Sequence, residues 1–279
     1  MKLAEVDLPL HVGKVPSWLF KRMAKLARLI TVAIVEEYGP LEVLKRLSDP
    51  YWFQAFGCIL GFDWHSSGLT TTVCGALKEG LKGLQRDLGI YVAGGKGARS
   101  RKTPVEIATY CEGIGRDPQP LQYASRLSAK VDTSAVQDGY QLYHHIFLFT
   151  KQGAWCVVQQ GMNPTVHYAR RYHWFSGSLK DFVCEPHTAI CCDRRGRTLN
   201  MVAQESSGSR EIATHLSRQP VDTVLREFGS ILRCRLPAHH AVTLADINPI
   251  RLHKILLKTY QTQPADFERL LGIEGVGPK

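Results

Sequence analysis

No apolar run in this 279-residue chain approaches the roughly 18 to 20 residues that a membrane span needs, and the opening MKLAEVDLPLHVGK lacks a basic segment leading into an apolar one. Neither a spanning helix nor a secretory leader is expected, which leaves the cytoplasm as the expected location, with no membrane partner. There is no internal repeat and no low-complexity segment, so neither an array of stacked units nor extensive disorder is expected. The eight cysteines are scattered, mostly among apolar neighbours, unlike the tight framework of a small secreted domain. Cys184, His187, Cys191 and Cys192 stand close together, but C-x2-H-x3-C-C is not the spacing of a common structural zinc site. No G-K-[ST] follows four residues after a glycine near the basic loop, so that loop is not a Walker phosphate loop.

What is present is a composition 44% hydrophobic, enough to bury one large core with a small appended one. Lysine and arginine number 35 against 25 acidic residues, a net charge of +10, and such a field attracts polyanions, nucleic acid first among them. After Pro16 helical periodicity runs to the stop signal Gly39-Pro40, and further helices are predicted over 41–47, 49–60 and 66–84. A short β-branched pattern at 88–93 predicts a strand that breaks at Gly94-Gly95. Residues 142–150 and 154–159, joined by Lys151-Gln152-Gly153, predict a hairpin. Helices return from 211 to about 234, at 248–260 and at 265–271, with a linker at 237–242. The fold class is therefore α+β. A helix-rich mixed main domain over 1–210 holds a central β-hairpin or small sheet, 211–244 is helix and linker, and 245–279 is all-helical.

The last residues, PADFERLLGIEGVGPK, read as a short helix, a glycine-rich turn and the start of another helix, which resembles the helix-hairpin-helix family. That resemblance implies a sequence-independent grip on a nucleic-acid backbone by Gly275, Gly277 and the amides around Lys279. The chain stops where the second helix should begin, so a truncated or processed chain is expected there. In the middle, Lys96, Arg99, Arg101 and Lys102 with three glycines precede a predicted helix start, Thr103 as N-cap, Pro104 in the first turn and Glu106 completing a capping box. Amides, helix end and cations would converge there on a phosphate.

Three polar blocks follow the chemistry of a divalent-metal phosphodiesterase, in which carboxylates hold the cation and an imidazole or lysine carries the proton. Asp63 and Asp138 are the expected ligands of Mg²⁺ or Mn²⁺, with His65, Lys96 and His144 as catalytic groups and no organic cofactor. On a strand His144 and His145 face opposite sides, so at most one joins Asp138. A restriction-type core is not supported, because the second strand offers Gln159 and Gln160 but no lysine. Arg170 and Arg171, interleaved with Tyr140, Tyr143, Tyr168, Tyr172 and Trp174, suit backbone contacts beside base stacking.

In order along the chain, DWHSSG (63–68), AGGKG (93–97), SRKTP (100–104), QDGYQLYHH (137–145), VVQQGMN (157–163) and ARRYHW (169–174) resemble the domain-of-unknown-function family seven-six-three, found largely in archaea and some thermophilic bacteria. The resemblance covers nearly the whole chain and brings no established reaction. It implies that the blocks belong together, and that members continue beyond the hairpin at 272–279. The expected function is nucleic-acid processing, as a metal-dependent DNA nuclease or phosphodiesterase, with RNA as a second partner. The alternative is a non-catalytic DNA-binding or repair-accessory protein, and a third class is an enzyme on a nucleotide or small phosphorylated substrate.

Overall fold

The structure, a computed structural model, describes residues 3–4, 6–10, 13, 15–191, 196, 198–231 and 248–277. Cys192, Cys234, the expected linker at 237–242 and Lys279 lie outside the described residues. Among the described residues no helix is long and apolar enough to cross a membrane. The fold is α+β. In chain order it runs β1 (Leu3–Ala4), α1 (Ser17–Tyr38), α2 (Pro40–Ser48), α3 (Pro50–Ile59), α4 (Gly68–Gly80), α5 (Gln85–Leu88), β2 (Ile90–Lys96), α6 (Thr103–Ile114) and α7 (Gln119–Lys130). There follow β3 (Val136–Gln137), β4 (Gln141–Thr150), β5 (Trp155–Asn163), β6 (Tyr168–Phe175), β7 (Ala189–Cys191), β8 (Leu199–Asn200), α8 (Ser207–Ser217), α9 (Val221–Ile231), α10 (Pro249–Thr262) and α11 (Phe267–Gly272).

The first three helices start and stop on local chemistry. Gly39 at φ 82° ends α1 and Pro40 opens α2; the Asp49 carboxylate caps α3 by accepting from the Tyr51 and Trp52 amides. The helix expected over 66–84 is shorter, Gly68–Gly80, followed by a turn into α5. The predicted hairpin is β4–β5, but it sits inside a six-stranded sheet of order β1-β7-β6-β5-β4-β2, antiparallel except for β1 beside β7. β2 does not break at Gly94-Gly95 but continues to Lys96, because Gly94, at φ 94°, still pairs with Ile146.

By contacts the chain forms two compact units. One gathers 1–129, 140–180 and 186–195; the other gathers 130–139, 181–185 and 196–279, a division that does not follow a cut at 210. The first unit holds the six-stranded sheet. One face buries Val92, Ile146, Leu148 and Val158 against Met23 of α1, Leu44 and Leu47 of α2, Phe53 of α3 and Val73 and Leu77 of α4. α1 and α4 approach closely at Gly80, where an added Cβ would lie 2.3 Å from the Ala24 carbonyl oxygen. The other face is aromatic: Tyr91 stacks on Phe149 at 5.1 Å, Phe147 on Trp155 at 5.6 Å, and Tyr110 of α6 lies 5.4 Å from Tyr91. In the second unit β3 pairs with β8, and the helices α8 to α11 follow.

Candidate functional site

Strand register lines up the polar residues of the sheet. Cross-strand partners share a face, so pairing of Lys96 with His144, His144 with Gln160, Gln160 with Arg171 and Arg171 with Cys191 makes one polar row across β2, β4, β5, β6 and β7. The row lies on the face that packs against α1 to α4, next to an apolar row through Ile146 and Val158. Its β6 end is closed. Arg171 is 0% exposed and its guanidinium donates to Gln54 Oε1 at 3.0 Å, Thr70 Oγ1 at 3.3 Å, the Pro50 carbonyl at 3.4 Å and His173 Nε2 at 2.8 Å. Burial, with the Arg171 charge as a second cause, holds the His173 ring well below its usual pKa.

The other end is open. His144 is 1% exposed, and among the described residues neither its Nδ1 nor its Nε2 makes a hydrogen bond; the neighbouring Gln160 Oε1 is likewise buried without one, while Gln160 Nε2 donates to the Ser67 carbonyl at 2.8 Å and to the Tyr143 hydroxyl. Burial, aided by the positive fields of His145 and Lys96, holds His144 down to about 3, so its ring is neutral at pH 7. This ring lines a cavity of about 650 Å³ roofed by α1 and α4 and bordered by β2 and the 3-10 turn at Gly97–Lys102. Around it stand Lys78 of α4, Lys82 of the turn after α4, Lys96 of β2 and Arg99 of the 3-10 turn, four cations against the one carboxylate of Glu79.

Glu106 holds this arrangement together. Its Oε2 accepts from Lys78 Nζ at 2.6 Å and from the Gly94 amide at 2.7 Å, while Lys78 also donates to the Gly94 carbonyl at 2.8 Å. A Cβ on Gly94 would fall 2.3 Å from the His145 carbonyl oxygen and 2.6 Å from Thr103 Oγ1, which is why the chain needs glycine there. Lys96 in turn lies over the Tyr143 ring, 5.7 Å from its centre.

Several sequence expectations change. Thr103 is not an N-cap: it is the first residue of α6, its amide donates to Ser100, and the preceding 3-10 turn closes the helix end that was to face an anion. Glu106 accordingly bonds Lys78 and Gly94 instead of forming a capping box. Of the four loop cations, Lys96 and Arg99 line the cavity; Arg101 and Lys102 are exposed but outside its lining. Arg170 and Arg171, expected to meet a backbone, are buried, Arg170 over the Tyr140 ring at 4.3 Å, because β6 is an interior strand. Tyr140, Tyr172 and Trp174 are buried with them and offer no stacking surface. Lys78, in the last turn of α4, and Lys82, in the turn that follows it, were missed, because no local pattern brings them to the loop at 94–102.

His65 is exposed, its Nδ1 3.8 Å from Asp7 Oδ2, and its amide donates to Asp63 at 3.3 Å; neither residue lines the cavity. Asp63 belongs to the first unit and Asp138 to the second. Among the described residues no three of histidine, cysteine, aspartate and glutamate are grouped to hold a metal. Among the described residues Cys58, Cys74, Cys111, Cys156, Cys184 and Cys191 form no disulfide. In the second unit Gly275 has φ 94°, and Lys130 Nζ donates to the carbonyls of Ile273, at 3.3 Å, and Val276. Gly277 follows at the end of the described turn.

A model of the family described as "Protein of unknown function (DUF763)" matches residues 4–279. The chain belongs to this family. Comparison of this DUF763 chain with curated proteins and with solved structures gave no match.

Proposed function

We propose that this DUF763 chain is a cytoplasmic nucleic-acid-handling protein that holds phosphate groups, of DNA first and RNA second, in the cleft formed by Lys78, Lys82, Lys96 and Arg99 over His144. The observation that carries this reading is that cations from α4, the turn after it, β2 and the 3-10 turn meet around a buried imidazole that makes no hydrogen bond among the described residues. A buried polar group left so costs about 1 to 3 kcal/mol, and a phosphate oxygen accepting from its N–H removes that cost. The net charge of +10 adds a long-range attraction of the same sign. Binding then weakens as salt rises, with a slope on duplex of about 0.9 per phosphate neutralised. Fluorescence anisotropy across a salt series tests this. The Lys82→Ala, Lys96→Ala and Arg99→Ala triple variant should lower affinity and flatten the slope by about 2 to 3; unchanged affinity and slope would overturn the cleft as the interface.

Cleavage is the second reading, favoured by the closeness of His144 to Lys96. A neutral ring of such low pKa is a hydrogen-bonding group, but a phosphate dianion beside it would raise its pKa toward the range where it exchanges protons. Mg²⁺ or Mn²⁺ is the cofactor proposed for that reaction. Incubation with either metal on duplex, single-strand and branched substrates separates the readings: no cleavage alongside salt-sensitive binding leaves binding alone.

A further inference from the structure

We infer that the cleft takes a phosphomonoester, the terminal phosphate of a nucleic-acid strand, and not an internal phosphodiester; this rests on the phosphate-binding reading above. The group that must be reached is at the bottom. His144 is 1% exposed, so a ligand that satisfies its nitrogens has to enter the cavity, not lie across its mouth. An internal phosphate brings a nucleotide on each side, whereas a strand end brings one, and about 650 Å³ is the size of site that encloses a single small ligand.

Charge points the same way. Lys78 is engaged by Glu106 at 2.6 Å, but Lys82, Lys96 and Arg99 stand at the cavity with no carboxylate partner among the described residues, against Glu79 on the exposed part of α4. A diester carries one negative charge, while a monoester carries about 1.5 to 2 at pH 7 and presents three acceptor oxygens. Those oxygens match one imidazole N–H together with the Lys96 ammonium and the Arg99 guanidinium, which start from adjacent positions on the row and on the turn that follows it. The Glu106 bonds to Lys78 and Gly94 hold the wall in place before any ligand arrives.

The same chemistry could be presented by a free nucleotide, and the test separates the two. Single-stranded oligonucleotides of one sequence, bearing a 5′-phosphate, a 3′-phosphate or hydroxyls at both ends, are titrated into the full chain by anisotropy, with a mononucleotide and inorganic phosphate as competitors. One phosphorylated end should bind at least tenfold tighter than the hydroxyl-ended strand. That preference should vanish in Lys96→Ala, at an exposed position, and in His144→Leu, the phosphorylated and hydroxyl-ended strands then binding alike. Equal affinity for all three strands, still dependent on Lys96, would overturn the monoester and leave nucleic-acid binding standing. A mononucleotide that binds as tightly as the phosphorylated strand, while hydroxyl-ended strands do not bind, would keep the monoester and overturn the nucleic-acid source. No binding by any of them would overturn both.

Discussion

Adjacent on β4, His144 and His145 carry the same ring to opposite faces of the sheet, and His145 finds partners there, Ser125 Oγ at 2.9 Å and Gln159 Oε1 at 2.8 Å. With Gln159 accepting, the His145 Nδ1–H donates and Nε2 takes the serine proton. Replacement by leucine strands both partners, so His145→Leu should lose about 2 to 3 kcal/mol of stability in urea unfolding. His144→Leu removes a ring that bonds to nothing and should leave the ligand-free protein as stable or more so. Equal losses would mean that His144 is a structural residue. The sequence shows the opposite orientation of the two rings through the period of two, but not which ring is partnered, because Ser125 and Gln159 come from α7 and β5. Arg171 was read as a surface residue for a like reason: arginine is seldom fully buried, and its acceptors are contributed by α3, α4 and β6, which no local pattern announces.

At the scale of elements, α1 to α3 were legible because glycine, proline and an aspartate cap mark their ends in the chain itself. β6 was not: its inward positions carry Arg171 and His173, so an interior strand reads as a polar block. α4 conceals two functions in one helix. Lys78 borders the cleft, with Lys82 just beyond the helix end beside it, while Gly80 lies against the Ala24 carbonyl of α1. A methyl group there has backbone 2.3 Å away and no flexible side chain to displace, so Gly80→Ala should destabilise the fold by about 1 to 3 kcal/mol and lower the thermal midpoint. An unchanged midpoint would show that α1 and α4 can separate freely. The same substitution should also weaken phosphate binding, since it moves the helix that carries Lys78 and leads into the turn that carries Lys82.

For the whole molecule, the sheet carries three buried imidazoles whose folded pKa values lie below the ordinary 6.5: His145 at about 4, His144 at about 3 and His173 well below. Once pH falls below about 6.5 the unfolded chain takes up protons that the folded chain refuses, so stability is present in full above that value. It then declines by about 1.4 kcal/mol per pH unit for each ring until the folded pKa is reached. Urea midpoints at pH 7.5, 6 and 5 should fall steeply across the last two; a level series would mean that the rings are protonated in the fold. The interleaving of the two units along the chain has a further consequence, at synthesis. A ribosome delivers residues in order, and the sheet-bearing unit has its last segment at 186–195, whereas the second unit opens at 130–139 and is finished only by 196–279. Its first two pieces must therefore emerge, and wait, while the sheet assembles around the gaps they leave in the chain, so neither unit can be released whole by a single cut.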